Sequence, residues 1–198
     1  MRCRVWSRPR LAAIFGLAAL AACDMGPTGY SAPYKAMNPK PVSVAFADKA
    51  PSISQQFRPP KHFGIDIFHP EGSPVLAAAS GVVTSLWVDG AYGRQMILTH
   101  GPDISGEIHQ TVYKHMSAFS VEEGDNVARG QKIGELGKSG ALSAGLPHLH
   151  FEIWMGGGEG AVDPNLMWEA GPGLGRCYDP KTDSGLGVVY PVGCGGAA

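Results

Sequence analysis

The sequence predicts a small all-β domain, an antiparallel β-sandwich or open barrel with hairpin loops around a groove. Three observations lead to this prediction. The 198 residues include 28 glycines and 16 prolines, while only 17% are charged. Short runs in which apolar and polar residues alternate recur through the middle of the chain. No ten-residue segment has a convincing helical period apart from residues 164–170, and no 18-residue apolar run could cross a bilayer.

The predicted strands follow one another along the chain, separated by turn residues. Asp89 and Gly90 form a dipeptide typical of a two-residue hairpin turn. Glycines in residues 121–137 occupy hairpin positions, and Pro147 marks the start of the last strand, where proline is tolerated. The runs predicted to form strands are 65–68, 75–88, 95–100, 111–116 and 146–154.

The N-terminus has the pattern of an export signal. Four arginines in residues 1–10 precede an apolar stretch of 12 residues, which is too short to span a membrane. The stretch ends in Leu20-Ala21-Ala22-Cys23, which resembles the lipobox of bacterial lipoproteins. We therefore expect residues 1–22 to be a lipoprotein signal peptide, Cys23 to be lipidated, and the protein to lie on the periplasmic face of a membrane in the cell envelope. An ordinary signal peptide is the alternative.

The rest of the chain divides into three parts. A proline-rich tether covers residues 23–60, the domain covers 61–170, and a glycine-rich tail covers 171–198. Export favours a disulfide between Cys177 and Cys194, which would close a loop of about 18 residues and contribute roughly 3 kcal/mol. Two free thiols are the alternative. Without residues 1–22, 12 basic residues face 17 acidic ones, so we expect no nucleic-acid partner.

Histidines are concentrated in two short patterns. His148 and His150 are two apart in a strand-like run, so their side chains leave the same face. His62 and Asp66 are four apart, and Gly64 between them leaves room for another group. Three ligands of His, Asp and His type, with one position left for water, suit a hydrolytic zinc site. Spacing alone is equally compatible with an ordinary strand surface.

A longer series of motifs resembles one protein family. Read in order, the series resembles the lysostaphin-type (LytM-type) zinc endopeptidases, which cut peptide cross-links in bacterial cell walls, and it spans about residues 61–165. Its members are His62-Phe-Gly-Ile-Asp66, Gly72-Ser-Pro-Val75, Tyr92-Gly93, Thr99-His100-Gly101, Tyr113-Lys-His115, Gly130-Gln131, Gly137-Lys-Ser139-Gly140, Pro147-His148-Leu-His150-Phe151-Glu152 and Val162-Asp163-Pro164.

The resemblance implies a role for each matching residue. His62, Asp66 and His150 match the zinc ligands, His148 matches the catalytic base, and His115 matches a second catalytic histidine that orients water and stabilises the oxyanion. The implied protein is a membrane-anchored Zn²⁺ endopeptidase that hydrolyses amide bonds in peptidoglycan stem-peptide cross-links with a zinc-activated water. Glu152 and Asp163 also lie at family positions, where we expect supporting or structural roles.

Some expectations remain open at this stage. A non-catalytic wall-binding regulator, which activates a peptidoglycan amidase, is the alternative function, and a recruiting protein partner is unknown. His100 is expected to be structural, and His69 and His109 to lie on the surface. Residues 102–110 form a longer connection than the family's usual turn, and we expect a longer loop near the groove.

Overall fold

The structure is a computed structural model that describes residues 52–101, 109–156, 160–183, 185 and 187–194. The predicted signal peptide, Cys23, most of the tether and residues 102–108 of the 102–110 connection therefore lie outside the described residues. Within the described ranges, no helix is both long and apolar enough to cross a membrane.

Short strands dominate the described chain. Helical structure there is limited to two 3₁₀ turns, Ala141–Ser143 and Pro164–Leu166, so the helical period of residues 164–170 yields a single turn. The strands are β1 (Ile53–Gln55), β2 (Ile65–Phe68), β3 (Pro74–Leu76), β4 (Gly81–Asp89), β5 (Gly93–Thr99), β6 (Gln110–Met116), β7 (Ala118–Phe119), β8 (Asn126–Val127), β9 (Lys132–Glu135), β10 (His148–Met155) and β11 (Gly160–Val162).

The strands form two antiparallel sheets. The larger has the order β1-β2-β10-β6-β5-β4-β8, with β11 also paired to β10, and the smaller has the order β3-β9-β7. Neither sheet closes into a barrel. The prediction of a small all-β antiparallel domain is confirmed. The predicted run 75–88 differs in detail, because the chain leaves β3 and turns through residues 77–80 before β4 begins.

Alternation along β10 separates the core from the functional face. Leu149, Phe151 and Ile153 point into the larger hydrophobic core cluster, together with residues of β2 and the central strands. The intervening residues His148, His150 and Glu152 must therefore leave the opposite face. Because β10 pairs on one side with β2 and on the other with β6, that face lies in the middle of the larger sheet.

The compact structure extends beyond both expected boundaries of the domain. On the N-terminal side, β1 belongs to the expected tether but pairs with β2. On the C-terminal side, Tyr190 and Val192 are buried in the core, and Val192 forms a β-bridge with Val75 of β3. A disulfide joins Cys177 to Cys194, the predicted pair. The tail thus contributes to the same core as the strands.

Arg129 connects the tail to the domain. Its guanidinium lies 3.1 Å from a carboxylate oxygen of Glu169 and 2.7 Å from one of Asp183, and it donates to the carbonyl of Gly187. A cavity of about 270 Å³ adjoins this region, with Trp168 among its walls. None of the residues that line this cavity is a histidine.

Candidate metal centre

Strand pairing brings the predicted ligands together although 84 residues separate Asp66 from His150. His150 of β10 lies directly opposite Asp66 of β2. Asp66 Oδ1 is 2.7 Å from His150 Nδ1 and 3.1 Å from His62 Nε2, and the two ring nitrogens are 3.1 Å apart. The three ligand atoms all lie within 4.8 Å of one another.

The hydrogen bonds on the far side of each imidazole fit a metal at this point. His62 Nδ1 is 2.9 Å from the carbonyl oxygen of Gln56, and His150 Nε2 is 2.7 Å from Glu152 Oε1. A carbonyl or carboxylate oxygen only accepts, so each of these nitrogens carries a ring proton. With a metal in place, the nitrogens that face Asp66 would supply lone pairs, and this N, N, O donor set suits zinc.

Gly64 makes the close packing behind the cluster feasible. A β-carbon at this position would lie 2.9 Å from Glu152 Cγ and 3.0 Å from His150 Nε2, and closer still to the Phe151 carbonyl oxygen. The chain therefore passes directly over the His150–Glu152 contact only because residue 64 has no side chain.

Burial and contacts with neighbouring charged groups shift the pKa values of the cluster in opposite directions. Burial would raise the pKa of Asp66, but its hydrogen bond with His150 and the surrounding histidines lower it overall. Burial would lower the pKa of His150, but the carboxylates of Asp66 and Glu152 raise it overall. For Glu152, His150 and Lys114 outweigh burial and lower the pKa to about 2. Both carboxylates are thus held ionised.

Two further histidines lie beside the cluster. The His148 ring nitrogen Nδ1 is 2.9 Å from the carbonyl of Leu146, and its Nε2 is 3.9 Å from Asp66 Oδ1. The His115 nitrogen Nδ1 is 2.8 Å from the carbonyl of Ser139. In both rings the Nδ1 proton is donated to a backbone oxygen, so Nε2 is the hydrogen-bond acceptor.

His115 is held in an unusual backbone conformation. Its φ is 65°, a left-handed value that is uncommon outside glycine. Its ring centroid is 4.7 Å from that of His148 and 5.9 Å from that of Tyr92. Burial is the main cause that lowers the pKa of His115, which keeps the imidazole neutral.

The structure also shows neighbours of the site to which the sequence assigned no role. Lys114 Nζ and Trp154 Nε1 both donate to Glu152, at 2.5 and 2.6 Å. The Lys114 ammonium lies 4.2 Å from the centre of the Tyr92 ring. The alternation that singled out His148 and His150 would also have placed Glu152 on their face, whereas the backbone carbonyl of Gln56 left no signal in the sequence.

The remaining histidines lie apart from the cluster. His100 is buried and contacts the Ser80 carbonyl and the Thr111 hydroxyl, a structural setting. His69 is half-buried and lies 2.6 Å from the Ser73 hydroxyl.

The part of the chain that contains these motifs is similar to known proteins. Residues 60–164 match the model of peptidase family M23. The chain belongs to peptidase family M23. The resemblance to lysostaphin-type enzymes is confirmed. The family match spans nearly the same residues as the motifs, and lysostaphin of Staphylococcus simulans is 38% identical over 92 residues, which is 46% of this chain and 17% of the relative.

Two curated M23 relatives show how much of the chain is shared. The DD-carboxypeptidase/endopeptidase Mpg of Neisseria meningitidis is 43% identical over 96 residues, which is 48% of this chain and 20% of the relative. The peptidoglycan DD-endopeptidase ShyA of Vibrio cholerae is 35% identical over 92 residues, 46% of this chain and 20% of the relative. The chain thus spans about one fifth of the length of these relatives.

A solved structure of a peptidase agrees with the fold. The crystal structure of a zinc-containing peptidase from Vibrio cholerae superposes with a TM-score of 0.50 and 30% sequence identity. The superposition covers 57% of this chain and 35% of that one.

Proposed function

We propose that this protein is a zinc endopeptidase that hydrolyses amide bonds in the stem-peptide cross-links of peptidoglycan. The observation that carries the proposal is the convergence of His62, Asp66 and His150, with His148 and His115 beside them on the same face. In this proposal the first three residues hold the metal. The other two act on the reacting groups.

The ligand residues determine where the chemistry occurs. A zinc ion held by them would lower the pKa of water and polarise the scissile carbonyl. His148 has its Nδ1 proton committed to the Leu146 carbonyl, so its Nε2 accepts a proton from the attacking water and returns it to the departing amine. His115, neutral and fixed through Ser139, orients the water and stabilises the charge that develops on the carbonyl oxygen.

The substrate class is supported by the named relatives. The Neisseria relative is named a DD-carboxypeptidase/endopeptidase, and the Vibrio relative a peptidoglycan DD-endopeptidase. A peptide amide in peptidoglycan is therefore the substrate we propose for this chain. The alternative of a non-catalytic regulator is not favoured, because all five histidine and aspartate positions are present and close together.

The decisive experiment compares the wild-type protein with His148→Ala on purified sacculi. We expect the wild type with zinc to release shortened peptides, detected by mass spectrometry, and the variant to lose at least 100-fold in rate while still binding zinc. Leu142→Ala changes an exposed side chain of the 3₁₀ turn and serves as a folding control. Equal product release from wild type and His148→Ala would exclude this mechanism.

We also propose that the enzyme works on the periplasmic face of a membrane, where the lipidated Cys23 anchors it. Residues 1–22 are then the signal peptide and 23–60 the tether. The support is the lipobox pattern Leu20-Ala21-Ala22-Cys23. Cys23→Ser is expected to move the protein from the membrane to the soluble fraction, measured by fractionation and immunoblotting. Retention of the variant in the membrane would contradict lipid anchoring.

A further inference from the structure

We propose that Glu152 is a positioning residue, which holds the His150 ring with Nδ1 towards Asp66 and thereby sets the affinity of the site for zinc. This inference rests on the proposed zinc site. Glu152 does not reach the cluster formed by Asp66 and His62; it acts from the far side of the His150 ring.

The geometry of His150 requires such a partner. Its Nδ1 faces Asp66 Oδ1 at 2.7 Å and is the nitrogen available to a metal, and its Nε2 lies 2.7 Å from Glu152 Oε1. Asp66 and Glu152 both present acceptor oxygens to the ring, so in the metal-free site neither contact alone decides which nitrogen carries a proton. When a metal takes the place of the proton on Nδ1, the remaining ring proton lies on Nε2, and the Glu152 carboxylate accepts it.

Glu152 is itself held rigidly for this role. Lys114 Nζ donates to Oε1 at 2.5 Å, and Trp154 Nε1 donates to Oε2 at 2.6 Å. The carboxylate side chain is only 5% exposed. Lys114 on β6 and Trp154 on β10 fix the Glu152 carboxylate so that Oε1 stays in contact with His150 Nε2. Burial keeps water from competing for this contact.

His62 provides an internal comparison within the same site. Its Nδ1 proton goes to the neutral carbonyl oxygen of Gln56 at 2.9 Å, whereas His150 donates to an anion. An anionic acceptor withdraws the proton more strongly and makes the opposite nitrogen a better ligand. Loss of the acceptor typically weakens metal binding by about 10- to 100-fold in comparable sites.

The test measures zinc affinity of the purified mature protein by competition with a chromophoric chelator. Glu152→Ala is expected to weaken zinc binding by about 10- to 100-fold, and Glu152→Gln, which keeps an oxygen acceptor, by less. Lys114→Met leaves the His150–Glu152 contact and should weaken binding less than Glu152→Ala. Glu135→Gln alters an exposed carboxylate that also pairs with a lysine, and its affinity should stay within about twofold of the wild type.

A second readout separates positioning from a general structural role. In the zinc-loaded protein with ¹⁵N-labelled histidine, the wild type should show a His150 Nε2 proton that exchanges slowly with water, because Glu152 accepts it. In Glu152→Ala this proton should exchange much faster. If Glu152→Ala does not fold, Glu152→Gln carries the same two measurements.

The outcomes are distinguishable. A folded Glu152→Ala variant with wild-type zinc affinity, or with an unchanged exchange rate of the His150 Nε2 proton, would overturn the inference. So would an equal loss in Lys114→Met, because the effect would then reflect general disruption of the network. A wild-type protein that fails to bind zinc would instead overturn the proposed function.

Discussion

At the scale of single residues, the geometry of the site depends on the absence of a side chain at position 64 as much as on the histidine and aspartate side chains. The chain at Gly64 crosses the His150–Glu152 contact at a distance that a β-carbon cannot occupy. This glycine has an ordinary backbone φ, so it is required for space and not for conformation. The sequence had already indicated room beside the ligands, but not that Glu152 would fill it.

Gly64→Ala is therefore expected to damage both stability and metal binding. Forcing a methyl group into this contact should cost about 1–3 kcal/mol of unfolding free energy and weaken zinc binding at least tenfold, as His150 and Glu152 move apart. Urea unfolding and chelator competition measure the two effects. Gly90→Ala is the matched control, since a β-carbon there meets nothing within 4 Å. Equal behaviour of the two variants would contradict the role given to Gly64.

Sequence patterns predicted which three side chains the structure brings together, but not the acceptors behind them. His62, Asp66 and His150 were predicted from residue type, spacing and the family motifs. The Gln56 carbonyl could not be, because every residue has one and its direction depends on how β1 meets β2. Lys114 could not be paired with Glu152 either, since that contact requires the register between β6 and β10.

At the scale of elements, alternation in β10 explains why the strand was predictable. Leu149, Phe151 and Ile153 form one side and the functional residues the other, so a period of two describes both faces. The boundary between β3 and β4 was missed because the residues between them, 77–80, are as small and apolar as their neighbours. The turn there is fixed by long-range contacts such as the hydrogen bond from Ala77 N to the Gln131 carbonyl.

The end of β5 carries a buried histidine that makes stability depend on pH. Burial lowers the pKa of His100 from 6.5 to about 4. The unfolded chain takes up a proton near pH 6.5 but the folded chain does not until about pH 4. The stability that neutral His100 provides is therefore complete above about pH 6.5 and is lost as the pH falls towards 4.

His100→Asn should remove this part of the acid sensitivity. Between pH 7.5 and 4.5 the wild type should lose on the order of 3 kcal/mol more unfolding free energy than the variant, even though the variant is less stable at pH 7.5. Urea unfolding of the metal-free proteins at the two pH values gives both differences. Parallel pH profiles for the two proteins would show that His100 does not carry the effect.

At the scale of the whole molecule, the tail is part of the core. Tyr190 and Val192 are buried against the strands, the 189–193 backbone bonds to β3, and Arg129 ties the intervening loop to the domain. The glycine-rich composition of the tail indicates local conformational freedom. It does not reveal the few apolar side chains that, with the Cys177–Cys194 disulfide, return the chain to the sheet.

Two valine truncations test whether the tail stabilises the domain. Val192→Ala removes methyl groups from a fully buried side chain and should lower the unfolding free energy by about 2 kcal/mol. Val88→Ala makes the same chemical change at a side chain that is 64% exposed, and should have an effect within about 0.5 kcal/mol. Thermal and urea unfolding measure both. A negligible effect of Val192→Ala would place the tail outside the cooperative fold.

The acceptors behind the two histidines of the cluster also differ in how they can be lost through mutation. The acceptor behind His150 is a side chain, so a single substitution at residue 152 removes it. The acceptor behind His62 is the peptide carbonyl of residue 56, which almost any codon at that position would still encode. Substitutions at residue 56 should therefore be tolerated, whereas substitutions at residue 152 should be selected against. In a saturation library scored for cell-wall hydrolysis, most variants at residue 56 should remain active and most variants at residue 152 should lose activity.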